Sequence, residues 1–169
     1  MGSGKTPVLG ELIALGYRGV PEVAREIIAE QRVVDREAVY KRDPVLFVRL
    51  MLERAVADWR SAAGLEEPVF FDRGIPDVIG YHEINGFDPW PAWEAARRHR
   101  YNDMVFVLPP WPEIYTTDAD RRMSFEDAAA FGRRVQEIYD ELGYTIVVVP
   151  RGSAAERGAF IREKTLTTP

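Results

Sequence analysis

The residues with the plainest chemistry in this chain are Gly2-Ser3-Gly4-Lys5-Thr6. Gly4-Lys5-Thr6 ends the pattern G-x-x-x-x-G-K-[ST], a loop whose backbone N–H groups curl around phosphate oxygens. Glycines permit the curl and the lysine reaches the β- and γ-phosphates. The threonine hydroxyl ligates Mg²⁺, and the helix behind turns its positive end to the anion. The leading glycine of the pattern would stand before Met1. A cloning scar or a chance Gly-Lys-Thr would read the same way. Against that, the chain holds three lysines and nineteen arginines, so a lysine at this one position is less easily accidental.

Four further groups could complete a phosphoryl-transfer site. Asp72, directly after an apolar run, stands where an acid holds a magnesium shell, or where it caps the next helix. Arg73 could hold a phosphate or substrate oxygen with its planar fork, or pair with an acid. Glu22 could take a proton from a substrate hydroxyl, or sit as a first-turn acid on a helix dipole. Arg121 and Arg122 could carry positive charge onto a moving phosphoryl group from a lid, or form a solvated charge run. The turn Arg151-Gly152-Ser153 follows the last apolar run. His82 and His99 have no metal-ligand spacing and read as structural. Arg97, Arg98 and Arg100 read as a solvated helix face, and Trp90, Trp93 and Trp111 as pocket lining or a core edge.

The elements that would position these groups alternate. Val8, Leu9, Leu12, Ile13 and Leu15 make one helical face up to Gly16, with Pro7 tolerated in the first turn. Arg18–Pro21 is a short strand leading to Glu22, and a helix follows to about Gln31. Asp43-Pro44 is an N-cap with proline at the first helical position, opening a helix to Ala63. Residues 68–71 form an apolar strand ending on Asp72-Arg73-Gly74, followed by a helix from about Ile75 to Glu83, a Gly/Pro/Trp-rich loop from Gly86 to Pro91 and a short helix carrying Arg97, Arg98 and Arg100. Met104–Leu108 is a strand stopped by Pro109-Pro110. Ser124 with Asp127 resembles a capping box before a helix closed by Gly143. Thr145–Val149 is the last strand, and a final helix runs to about Glu163, with 164–169 expected to fray. Short apolar strands between helices imply a parallel sheet covered on both faces, with ligands bound outside the strands' carboxyl ends.

The bulk properties bound the reading. At 169 residues the chain suits one domain with a sizeable core, here expected over residues 1–163. Hydrophobic residues make up 46% and charged residues 29%, as in a soluble globular protein. No apolar run approaches a membrane span and no signal peptide opens the chain. The absence of cysteine excludes disulfides and thiolate metal sites and is compatible with a cytoplasmic location. A net charge of −5 argues against a broad nucleic-acid surface.

Several runs together resemble small bacterial P-loop proteins labelled AAA-type ATPases. They are Gly2–Thr6, Gly16-Tyr17 through Val20-Pro21-Glu22, Ala24-Arg25-Glu26-Ile27-Ile28, Phe70-Phe71-Asp72-Arg73-Gly74 with Pro76-Asp77, and Leu108 to Tyr115. Such proteins are similar to nucleoside and nucleotide kinases, with the ribosylnicotinamide kinase domain in the same neighbourhood. The resemblance implies a three-layer α/β/α P-loop kinase-like fold that binds ATP or GTP with Mg²⁺. It assigns Gly2, Ser3, Gly4, Lys5 and Thr6 to the phosphates, Gly152 and Ser153 to the adenine side, and Thr6 and Asp72 to the metal. Glu22 matches the base toward the substrate hydroxyl, Asp72-Arg73 the acid–arginine pair, and Arg121 or Arg122 a lid arginine.

Two departures stand out. Pro7 removes a hydroxyl and an N–H near the α-phosphate. The first strand, central in such sheets, is missing, which would leave its neighbours about 9–10 Å apart and points to a chain that begins upstream of Met1. The expected reaction is transfer of a γ-phosphoryl group to a small hydroxyl-bearing acceptor such as a nucleoside. A nucleotide hydrolase, a nucleotide-gated binding module and a non-catalytic remnant are the rival expectations.

Overall fold

The computed structural model describes residues 3–33, 42–114 and 124–167. Its contacts resolve into two compact units, one made of Met1–Gly19 with Asn102–Pro169 and the other of Val20–Tyr101. The fold is mixed α/β, and among the described residues four short strands pair two by two.

In the first unit, α1 (Lys5–Ala14) buries Val8, Leu9 and Leu12, the apolar face expected from their spacing. Strands β3 (Met104–Val107) and β4 (Thr145–Val148) run parallel, in register from Met104 with Thr145 to Val107 with Val148. The ladder continues as the Val149 N–H donates to the Val107 carbonyl at 2.9 Å. Between the strands lie a 3-10 turn (Pro112–Ile114) and α6 (Phe125–Glu141). The Ser124 hydroxyl accepts from the Asp127 N–H at 3.0 Å and fixes where α6 begins. Phe131, Val135 and Ile138 then recur at the spacing of one buried face.

Helix α7 (Ala154–Thr167) closes this unit and packs against α1. A Cβ on Gly158 would lie 3.1 Å from Glu11 Cβ, so the two helices meet closely there. The helix continues to Thr167, where fraying was expected from Lys164. The Thr165 hydroxyl donates to the Ile161 carbonyl at 2.8 Å and the Thr167 hydroxyl to Glu163 at 3.0 Å, so polar residues extend the last turn. The expected two-sided cover of the strands is also incomplete: all of β3 is half-buried and Val148 is 55% exposed.

The second unit takes Val20 from the end of β1 (Arg18–Val20), then α2 (Val23–Val33), α3 (Pro44–Ala62), β2 (Val69–Phe71), α4 (Ile75–Ile84) and α5 (Trp90–Arg98). Asp43 caps α3, its carboxylate accepting from the Leu46 N–H at 2.9 Å. Phe47, Val48, Met51 and Ala55 give α3 its buried face. Helix α4 is buried on every side, from Ile75 and Ile79 to His82, and both α3 and α5 pack on it. His82 Nδ1 lies 2.9 Å from the Val78 carbonyl and His99 Nδ1 3.0 Å from that of Ala95, so both bond back into their own helices. This central helix starts three residues after β2, and the chain between them carries Asp72 and Arg73.

Candidate functional site

In the first unit the Gly4-Lys5-Thr6 run opens α1. Gly4 is the N-cap of α1 with φ 71° and ψ 30°, left-handed values that suit glycine. No side chain caps the helix and no acid stands in its first turn, so its N-terminus is electrostatically open to an anion. The Lys5 ammonium lies 3.3 Å from the Ser3 hydroxyl, and Thr6 is exposed. Gly2 lies outside the described residues, as do Arg121 and Arg122.

Arg157 joins this loop to the turn after β4. Its guanidinium donates to the Ser3 carbonyl at 2.7 Å, while its Nε donates to the Ser153 carbonyl at 3.4 Å. Only 6% of Arg157 is exposed, and burial lowers its pKa from the usual arginine value. Fixing the Ser3 carbonyl also fixes the N–H of Gly4 on the other side of that trans peptide. The approach is close, since a Cβ on Gly4 would lie 2.6 Å from Arg157 Nη2. Trp111 stacks with this group, 5.7 Å from the Arg157 guanidinium and 5.5 Å from that of Arg151. Ser153 has a local role as well. Its N–H and hydroxyl donate to Glu156 at 2.7 and 2.8 Å, and the Glu156 N–H returns to Ser153, forming a capping box on α7. These bonds lower the Glu156 pKa.

The second unit holds the acid–arginine set. Arg73 Nε donates to Glu22 at 2.9 Å and its Nη1 to Asp77 at 2.7 Å, with all three side chains nearly buried. Arg25 approaches the second oxygen of Glu22 at 3.3 Å. Arg73 has φ 79°, a left-handed conformation that non-glycine residues adopt at a cost. Asp77 braces it twice, because its other oxygen accepts from the Gly74 N–H at 2.9 Å. Asp77 thus reaches back to cap the start of α4. Asp72 is buried, and its N–H donates to the Val20 carbonyl at 2.8 Å, tying the end of β2 to the end of β1. Tyr81 completes the set. Burial pushes its phenol up to about 12, with the Arg73 charge opposing and the carboxylates of Glu22, Asp77 and Asp72 adding to the rise.

Beside these charges lies a narrow cleft lined by Val23, Met51, Ala55, Phe71, Val78 and Tyr101 together with Glu22, Arg73, Asp77 and Asp58. Its enclosed space is about 20 Å³, near the volume of one water. Phe71 and Tyr101 meet edge to face at 5.0 Å, and the Tyr101 hydroxyl accepts from the Ile75 N–H at 3.1 Å.

A magnesium ion takes oxygen ligands, often one or two protein groups with the rest from phosphates and water. In the second unit the buried Asp72 carboxylate offers an oxygen of that kind, and in the first the exposed Thr6 hydroxyl offers another. Among the described residues no group of three or more histidines, aspartates and glutamates could hold a metal ion. No helix among them is long and apolar enough to cross a membrane.

Asp77 entered only through the run Pro76-Asp77, and Tyr81, Asp58 and Arg157 through no motif. The first had a legible signal, an acid four residues after Arg73 at the third position of a helix, where it can reach back to the chain. The Arg157 contact had none, since it spans 154 residues. Neither the curated proteins nor the solved structures include a match to the chain. Residues 1–157 match the family model described as an AAA domain, and the chain belongs to this family of nucleotide-binding P-loop proteins.

Proposed function

We propose that this protein is a phosphotransferase that moves the γ-phosphoryl group of ATP or GTP to the hydroxyl of a small acceptor, a nucleoside being the type case. The observation that carries this reading is the buried Glu22 carboxylate, held by Arg73 beside a cleft of apolar and aromatic side chains. A hydrolase needs a positioned water and has little use for an apolar cleft next to its base. An organic acceptor needs both, a wall for its body and a carboxylate for its hydroxyl proton.

Lys5 holds the β- and γ-phosphates in this reading, and the Gly2–Thr6 loop wraps them. Gly152 and Ser153 flank the nucleotide's adenine side. Thr6 and Asp72 supply the oxygens for Mg²⁺, which when bound neutralises phosphate charge. Glu22 accepts the acceptor's hydroxyl proton as its oxygen attacks phosphorus. Arg73 orients Glu22, and Arg121 and Arg122 neutralise charge on the transferring group.

Titration calorimetry with ATP and Mg²⁺ tests the first half of the reading. Saturable one-site binding that is lost in Lys5→Ala is expected, and no binding by the intact protein would overturn it. A panel of nucleosides and other hydroxyl compounds then tests the second half. ADP release that depends on one of them is the expected outcome, whereas the same release without any acceptor would make the protein a hydrolase.

A further inference from the structure

The cleft of the second unit contains a carboxylate, Asp58, that neither the proposed phosphoryl transfer nor the bracing of Arg73 uses. Asp58 follows Met51 and Ala55 on α3 at the i, i+4, i+7 spacing, so the helix turns all three toward the cleft. An acid here stands near the C-terminal end of a helix, the end whose dipole disfavours negative charge. Its Oδ2 is buried and meets no hydrogen-bond donor. Burial raises the pKa of the group, and the neighbouring Arg54 charge offsets only part of the rise. A buried acceptor with no donor is costly and unusual enough to need a reason. The other charged groups of the cleft differ in this respect, because Arg73 bonds Glu22 and Asp77 at 2.9 and 2.7 Å. Apart from its charged groups the cleft is lined by apolar or aromatic side chains, among them Val23, Met51, Phe71 and Val78, while Arg54 and Glu26 interact with Asp58 electrostatically.

We infer that Asp58 selects the acceptor by taking a hydrogen bond from a ring or exocyclic N–H, so that the acceptor is a flat, largely apolar N-heterocycle carrying both that donor and a hydroxyl. The inference rests on the phosphoryl-transfer reading of this same cleft. The lining suits the faces of a ring, Glu22 suits its hydroxyl, and Asp58 supplies what neither does, a reason to reject a ring of the same shape without the N–H. The enclosed space is too small for such a ring, so the cleft widens as the ring enters.

Wild type, Asp58→Asn and Asp58→Leu are compared with adenosine and cytidine, each against its N,N-dimethyl counterpart, which keeps the ring and loses the exocyclic N–H. Acceptor-dependent ADP release, calorimetric binding and Tm are read on each protein. In wild type at least one nucleoside binds about tenfold or more tightly than its dimethyl counterpart. Asp58→Leu erases that preference with Tm unchanged or raised, because it removes a buried acceptor that had no donor. Asp58→Asn retains part of the preference, since its amide oxygen still accepts. ADP release without discrimination in wild type overturns the inference and leaves phosphoryl transfer standing. A lowered Tm in Asp58→Leu also overturns it, by making Asp58 a structural partner. ATP binding with no release from any acceptor overturns transfer itself, and the inference with it.

Discussion

Each of the two units holds a buried arginine, and the two are held in opposite ways. Arg73 faces Glu22 and Asp77 at 2.9 and 2.7 Å. Burial works against its charge, but Tyr81, Glu22 and Asp77 hold its pKa well above the ordinary arginine value. Arg157 faces the Ser3 and Ser153 carbonyls and the Trp111 ring, has no ion pair among the described residues, and is pulled down by burial. The first charge is neutralised by acids within the protein and fixes a carboxylate. The second keeps its positive field beside Gly4 and Lys5, where a phosphate would gain from it. The difference teaches that a buried arginine's role is set by its partners and not by its burial.

The comparison can be broken by removing each cation in turn. Arg73→Met leaves Glu22 and Asp77 buried without their shared partner and should lower unfolding stability by about 3–5 kcal/mol in urea titrations. Arg157→Met strands no carboxylate. Its stability should stay within about 1 kcal/mol of wild type while ATP binds about tenfold more weakly by calorimetry, the loss expected for a single charge-assisted contribution. Equal destabilisation by the two variants would erase the distinction. Gly4→Ala adds a Cβ 2.6 Å from Arg157 Nη2 at a left-handed position. It should cost about 1–2 kcal/mol of stability and weaken ATP binding with it.

The smallest effect is a pH dependence specific to the Arg73 side. The Tyr81 phenol titrates at about 12 against an ordinary value of 10.0. A raised folded-state pKa means the contribution is fully present below about pH 10 and is lost as pH rises through about 12. At pH 11 the loss amounts to about 1 kcal/mol. Tyr81→Phe should remove that alkaline component from urea midpoints measured between pH 9 and 11, while Arg157→Met should leave it in place.

Much of the local structure was legible in the sequence. Asp43-Pro44 and Ser124 mark helix starts that their side-chain caps now explain, and Phe70-Phe71 leads into Asp72-Arg73 at a strand end as expected. Local chemistry fixes those features within a few residues of chain. The left-handed Arg73 was not legible, because no turn residue announces it and its side chain is held by Glu22, which is distant in the sequence, and by Asp77. Nor was the Arg157 contact with Ser3, which depends on α7 packing on α1. Asp58 was not legible either, because the burial of its oxygen depends on how α3 packs. Helix α7 runs to Thr167, past the fraying expected of a chain terminus, and its Thr165 and Thr167 hydroxyls bond to preceding carbonyls.

The central claim is that Glu22 serves an organic acceptor, and the most direct measurement is ADP release by wild type and Glu22→Gln with ATP, Mg²⁺ and the acceptor panel. The account predicts release only with a hydroxyl-bearing acceptor, a rate about 10²–10⁴-fold lower in Glu22→Gln, and unchanged ATP affinity. Acceptor-independent release at the same rate, or full transfer by Glu22→Gln, would contradict it.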